Sequence, residues 1–150
     1  MARQPENLTQ HPHFTAAGFD APAHWAEHGY THPRLGEVNG KVFLGESLGL
    51  SGMEVSLNAL APGGAISFLH AHHQNEELYL FLSGQGEFQV DGEVFPVGPG
   101  SALRVAPEGM RAWRSTGSEP LTCVVIQAKA GSLEQATAQD GVLGEGAPVW

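Results

Sequence analysis

The chain has little of several features that mark large classes of protein. Its 150 residues include one cysteine, Cys123, so an intramolecular disulfide framework is excluded. Lysine and arginine number 7 against 16 aspartate and glutamate residues, and such a chain lacks the basic surface that nucleic acids and anionic membranes require. No apolar run approaches a membrane span, and the first 30 residues contain no segment typical of a secretory signal. We therefore expect a cytoplasmic protein with no nucleic-acid or membrane partner.

Glycine and proline, by contrast, are abundant. Twenty Gly and ten Pro are too many for a helical bundle, and they indicate short strands joined by tight turns. With 41% hydrophobic residues and 15% charged residues, 150 residues are enough for one packed core. Residues 1–40 contain five of the eight histidines without a sustained period, and we expect them to form an N-terminal arm that packs on the domain.

Residues 41–128 show the strand pattern, short runs punctuated by turn residues. Ala61 to Gly64 predicts a turn, and the Asp91-Gly92 pair predicts a two-residue hairpin. The sequence therefore predicts an antiparallel sandwich or barrel, followed by a tail over residues 129–150, with single helical turns at 23–28 and 133–138. The predicted strands are 42–44, 54–60, 66–72, 77–82, 87–90, 93–96, 101–106, 112–115 and 121–128.

One group of residues in this region indicates chemistry. His70 and His72 are two apart on a predicted strand, so their side chains leave the same face. Glu77 begins the next strand, where it can lie opposite them. Two imidazoles and a carboxylate form a site suited to Fe, Mn, Ni or Zn as a divalent ion. The alternative is that the histidines belong to a polar loop tip.

The spacing around these residues resembles the cupin family. The first cupin motif is matched at every position by Gly64, His70, His72, Glu77 and Gly84. Of the second motif, Gly100, Pro107 and Gly109 are present, but Ala112 or, with one deletion, Arg111 stands where the family has histidine. The resemblance implies an all-β fold, an antiparallel jelly-roll β-barrel, and often a homodimer. It implies no single activity, because cupins include dioxygenases, isomerases, decarboxylases, binding proteins and regulators.

The missing histidine has consequences that depend on which residue replaces it. Three ligands can still hold a divalent ion while water fills the open positions. An inward Arg111 would repel the ion, pair with Glu77 or bind a ligand carboxylate, whereas Ala112 would do none of these. Tyr79 shares the parity of Glu77 and is expected to line the cavity with Arg111 as a substrate contact.

Two functions are consistent with this pattern. The first is a small-molecule-binding cupin with a divalent metal site, acting as a metal-dependent oxygenase or isomerase on a polar or carboxylated substrate. The alternative is a non-catalytic cupin that binds or senses a small ligand, with or without metal. His73 and Glu76 are out of phase with the ligands and should face outward.

Overall fold

The computed structural model describes residues 5–150, which are predominantly β-structure. Besides a 3₁₀ helix at Pro22–Glu27 and a single-turn helix α1 at Gly45–Leu48, this part of the chain consists of strands, turns and irregular segments. The strands are β1 Glu6–His11, β2 Phe14–Gly18, β3 Gly29–His32, β4 Gly36–Asn39, β5 Lys41–Phe43, β6 Glu54–Leu60, β7 Asn75–Ser83, β8 Gly86–Val90, β9 Glu93–Val97, β10 Ala102–Val105, β11 Arg111–Ser115 and β12 Leu121–Lys129.

Two antiparallel sheets form the body of the domain, as the strand pattern predicts. One sheet has the order β10-β7-β12-β6-β5 and the other the order β11-β8-β9. Alternate residues of β7 point to the core between the sheets, where Tyr79 and Phe81 pack with Phe88 of β8 and Trp113 of β11. Across residues 5–150 the two sheets stay separate ladders and do not close into one continuous barrel. The predicted all-β antiparallel fold is confirmed.

The opposite face of the five-stranded sheet is covered by the N-terminal arm. Trp25 of the 3₁₀ helix is buried against Leu57 and Ala59 of β6, and its Nε1 donates hydrogen bonds to the carbonyl oxygens of Phe19 and Asp20. The predicted helical turn at 23–28 is therefore present as the 3₁₀ helix. The arm is more regular than its sequence indicates, since β1 pairs with β2 and β3 pairs with β4 as hairpins. Residues 1–4 of the predicted arm lie outside the described residues.

The predicted strand at 66–72 is wrong. Residues 65 and 70 form isolated bridges to residues 114 and 111 of β11, so four residues separate the bridges on one side and two on the other. The two extra residues cannot be paired, and Phe68 and Leu69 are pushed out to about half exposure. A period-2 pattern cannot reveal such a bulge, because the side chains near it remain apolar.

The predicted two-residue hairpin turn is present in the structure. Asp91 and Gly92 both have positive φ, 51° and 87°, as the predicted two-residue hairpin between β8 and β9 requires. The predicted helical turn at 133–138 is wrong, because residues 131–150 are exposed and form only turns and irregular chain. Helix α1 was not predicted. Nowhere in residues 5–150 does a helix have the length and apolar character needed to cross a membrane.

Candidate metal centre

Strand β7 and the irregular segment before it bring the predicted ligands together. Glu77 lies on the inner face of β7, and its side chain is 5% exposed. His70 is held against β11 by two backbone hydrogen bonds with Arg111, His70 N to Arg111 O at 3.2 Å and Arg111 N to His70 O at 3.0 Å. His72 N donates to the carbonyl oxygen of Pro107 at 2.8 Å. These backbone contacts fix both imidazoles above the carboxylate even though the segment is not a regular strand.

The ligand atoms of His70, His72 and Glu77 all lie within 4.8 Å of one another. His72 Nε2 is 3.1 Å from Glu77 Oε1, and His70 Nε2 is 4.0 Å from Glu77 Oε2. His72 Nε2 and His70 Nδ1 are nevertheless buried without a hydrogen-bond partner. Two donors that each bind an ion at about 2.1 Å, at right angles, lie about 3 Å apart, so the spacing of His72 and Glu77 fits a shared ion.

Two core residues, Tyr79 and Arg111, also contact Glu77. The Tyr79 hydroxyl donates to Glu77 Oε2 at 2.5 Å, and Arg111 Nε lies 3.2 Å from the same oxygen. Oε1 is left facing His72. The carboxylate therefore has Oε2 in contact with the core residues and Oε1 directed toward His72.

The structure shows which of the two side chains, Arg111 or Ala112, lies on the inner face of β11. Arg111 and Trp113 lie on the inner face of β11, whereas Ala112 between them points the other way. The Arg111 side chain is 0% exposed, and its Nη1 donates to Gly109 O at 2.9 Å, with Ala106 O 3.4 Å from Nη2. Its guanidinium is therefore enclosed by Glu77 and backbone carbonyls rather than open to a ligand.

Burial perturbs the titration of several groups here. Desolvation by burial lowers the pKa of His70 to about 4. The charge of Glu77 opposes this shift in part, and the charges of Arg111, His72 and Lys41 increase it. The pKa of Tyr79 is raised far above its ordinary value, first by burial and then by the Glu77 charge and hydrogen bond. Both groups are consequently neutral at physiological pH, Tyr79 as a hydrogen-bond donor and His70 as an imidazole with a free lone pair.

A cavity of about 470 Å³ opens above this cluster. The β3–β4 hairpin forms one wall, and the inner faces of β5, β6 and β11 form the other. Apolar and polar side chains line it in equal number, although most of the lining surface is apolar, and the cations are Arg34 at the hairpin and Lys41 at the start of β5. His70, His72 and Glu77 are part of its lining. The volume is in the range of small-molecule sites.

The predicted site residues therefore fall into two groups. His70, His72 and Glu77 converge at the cavity. Arg111 and Tyr79 contact Glu77, and substrate contact by either one stays a prediction. Sequence reasoning missed Lys41, because its place in the cavity depends on the pairing of β5 with β6, which puts Lys41 opposite Asn58.

The chemistry of the donor set fits a divalent ion. Two imidazoles and a carboxylate are ligands for iron, manganese, nickel and zinc, and the buried His72 Nε2 faces Glu77 Oε1 at 3.1 Å without forming a hydrogen bond. The neighbouring Arg111 charge acts against metal affinity without blocking the open side of the cluster.

Comparison with known proteins agrees with this architecture. Residues 57–127 match the sequence profile of the Cupin domain family. A cupin protein from Bacteroides fragilis is 45% identical, with a TM-score of 0.65 over 70% of this chain and 89% of that protein. A sugar phosphate isomerase of the cupin superfamily from Silicibacter pomeroyi is 26% identical, with a TM-score of 0.55 over 68% of this chain and 69% of that one.

A 5-nitrosalicylic acid 1,2-dioxygenase from Bradyrhizobium is 30% identical over 92 residues, which are 59% of this chain and 44% of the dioxygenase. The chain spans about half the length of the curated relatives it matches. The predicted cupin-like jelly-roll fold is confirmed by the extent of the Bacteroides match and by the profile match. The chain belongs to the cupin family.

Proposed function

We propose that this cupin binds a divalent metal ion through His70, His72 and Glu77 and acts on a small carboxylated substrate in the cavity above them. The observation that carries the proposal is the convergence of the three ligand atoms within 4.8 Å, together with a buried His72 Nε2 that makes no hydrogen bond. An ion bound there would supply a Lewis acid with open positions for substrate oxygen.

The chain's own residues would prepare this site. Tyr79 and Arg111 hold Glu77 Oε2, so that Oε1 keeps one orientation toward the imidazoles. The backbone bridge between His70 and Arg111 holds the segment that carries the first imidazole, and the β3–β4 hairpin forms one wall of the cavity. These contacts pre-organise the ligands before an ion arrives.

Within the enzyme classes, we favour an oxygenase over an isomerase. The relative named as a dioxygenase acts, by its name, on an aromatic acid, whereas a sugar phosphate is strongly polar. Most of the lining surface of the cavity is apolar, which suits an aromatic or aliphatic body better than a polyol.

Metal titration tests the proposal. Wild-type protein, purified without a polyhistidine tag and stripped with chelator, should bind about one Mn²⁺, Fe²⁺, Ni²⁺ or Zn²⁺ per chain. Loss of a ligand in His72→Gln should weaken binding by roughly tenfold or more. Glu77→Gln should do the same, but it also leaves Arg111 without its partner, so His72→Gln is the variant that keeps the test valid if Glu77→Gln fails to fold.

Two matched controls are available in the same segment. His73 is exposed, and Glu76 pairs with exposed Arg104 at 2.6 Å on the other face of β7. His73→Gln and Glu76→Gln should therefore bind metal like the wild type. Equal affinities in His72→Gln and His73→Gln, or no stoichiometric binding by the wild type, would overturn the proposal.

A non-catalytic, metal-independent binding role is the second candidate. The observation that favours it is the Arg111 guanidinium beside Glu77, because it already supplies a positive charge to the carboxylate. In that case ligand binding would be unchanged by chelator, and metal titration would give no defined stoichiometry.

We also propose a homodimer in the cytoplasm. All six residues of β1 are exposed, and Leu8 and Phe14 of the β1–β2 hairpin are 47% and 54% exposed. A second copy of the chain could cover this hairpin. Light scattering should give about twice the 15.9 kDa chain mass, and a mass of one chain at all concentrations would contradict the dimer.

A further inference from the structure

Lys41 differs from Arg111, the other basic residue near Glu77, in the partners that surround its charge. The Arg111 guanidinium is enclosed by Glu77 and backbone carbonyls. Lys41 is half buried and lines the same cavity, and none of the ion pairs among the described residues includes it. Its ammonium is 5.0 Å from the centre of the Phe43 ring, which is a weak partner compared with an anion.

The direction of Lys41 follows from strand pairing. Lys41 lies opposite Asn58 of β6, and Asn58 lies opposite Cys123 of β12. Directly opposed residues share a face of the sheet, and Cys123 belongs to the core between the two sheets. Lys41 therefore projects toward the interior. Burial lowers the pKa of Lys41, and the charge of Glu77 is the first of the groups that oppose this shift.

Glu77 does not neutralise Lys41, because its oxygens are already contacted by other groups. Oε2 accepts from Tyr79 and lies beside Arg111, and Oε1 faces His72. A cation withdrawn from water without a partner is unfavourable. An anionic group on a ligand would provide that partner.

The walls of the cavity define the remainder of the ligand. The hairpin contributes Tyr30 and Leu35, and the opposite side contributes Ile66, Phe68 and Trp113. Phe68 is 48% exposed and Leu35 is 54% exposed. These surfaces gain from contact with an apolar or aromatic body.

We propose that Lys41 selects the charge of the ligand, and that the cavity takes a small apolar or aromatic monoanion whose carboxylate pairs with Lys41. This inference rests on the proposed function, since it names the ligand class of the same site. Lys41 then has the anion-binding role that the sequence pattern predicts for Arg111.

Calorimetric titration with benzoate, benzamide and acetate tests this inference. Wild-type protein stripped with chelator should bind benzoate at least about tenfold more tightly than benzamide, which has the same ring without the charge. It should bind acetate at least about tenfold more weakly than benzoate, because acetate lacks the ring. Lys41→Met should lose about tenfold in benzoate affinity and little in benzamide affinity.

Lys129→Met is the matched control, because Lys129 is exposed at the end of β12 and should leave all three affinities unchanged. Equal binding of benzoate and benzamide by the wild type, or equal benzoate binding by Lys41→Met and wild type, would overturn the inference. No benzoate binding at all would do the same.

Metal titration of the same samples separates this inference from the proposed function. If the wild type binds metal but does not discriminate benzoate from benzamide, the role of Lys41 fails and the metal site stands. If metal does not bind but Lys41-dependent benzoate binding is present, the metal proposal fails and charge selection by Lys41 stands. Lys41→Met should bind metal at least as tightly as wild type, because a nearby positive charge is removed.

Discussion

Replacing Arg111 with alanine should destabilise the protein far more than a single surface charge would. The side chain is 0% exposed and pairs with Glu77, itself 5% exposed. Removing one partner of a buried ion pair costs about 3–5 kcal/mol, because the other charge remains buried without compensation. The carbonyl of Gly109 would also lose a donor at 2.9 Å. We therefore expect the free energy of unfolding to fall by about 3–5 kcal/mol in Arg111→Ala.

Urea denaturation in the presence of chelator measures this change, and Arg114→Ala is the control. Arg114 lies three residues further along β11 and pairs with Glu87, but the side chains are 62% and 35% exposed. Exposed pairs contribute only about 0–1 kcal/mol. The two variants remove the same side chain from the same strand, so they differ mainly in burial. A loss in Arg111→Ala no larger than that in Arg114→Ala would refute the argument.

A divalent ion should restore part of the lost stability. In Arg111→Ala the ion would supply positive charge beside Glu77 without competing with a guanidinium, so the variant should bind metal more tightly than wild type. An ion present at about 100 times its Kd adds about 2.7 kcal/mol, which is most of the expected loss. A second denaturation series with metal tests this point, and the reasoning fails if metal stabilises the wild type as much as the variant.

Two further predictions concern buried polar groups of the core. Tyr79→Phe keeps the ring contacts with Phe88 and Trp113 but removes the hydroxyl that donates to Glu77. We therefore expect the free energy of unfolding, measured by urea denaturation, to fall by about 1.5–3 kcal/mol. An unchanged midpoint would contradict this role of the hydroxyl. Burial raises the pKa of the Cys123 thiol from 9.0 to about 12, so the unfolded chain releases this proton first and stability should fall as pH rises from about 9 to about 12. Thiolate absorbance of the folded protein measures the shift, Cys123→Ala provides the baseline, and titration near pH 9 in the folded state would contradict it.

The parts of the fold that the sequence predicted depend on local rules. Strands β6 and β8 follow from alternating polarity, and β12 follows from a short apolar run. The Asp91-Gly92 hairpin follows from the tolerance of both residues for positive φ. Gly84 of the first cupin motif has φ +77°, and a Cβ there would lie 2.4 Å from the carbonyl oxygen of Pro120. Such positions are set by backbone conformation and close approach, and both leave a mark on residue type.

The parts that the sequence did not predict depend on contacts between distant segments. The choice between Arg111 and Ala112 is a choice of register, because one residue of slip exchanges the two faces of a strand. The bulge before His70 depends on how residues 65–70 pair with β11. The arm forms hairpins that its few apolar positions do not predict, and Trp25 is its buried contact with the apolar residues of β6. No local sequence pattern predicts these pairings.

Arg111 and Lys41 show why residue type alone does not assign a role to a cation. Both are basic residues near Glu77. Arg111 donates hydrogen bonds to backbone carbonyls, whereas Lys41 lies 5.0 Å from the centre of the Phe43 ring and takes part in none of the ion pairs among the described residues. Counting Glu77 as −1 and Arg34, Lys41 and Arg111 as +1 each, the cavity and its immediate surroundings have a formal charge of +2, in a chain whose net charge is −9. Charges separated by more than about 8 Å are largely screened at physiological ionic strength, so a ligand inside the cavity interacts with the local charge more than with the acidic surface. The cavity therefore favours an anion even though the protein as a whole is strongly acidic, and a metal ion bound by the three ligands would strengthen that preference.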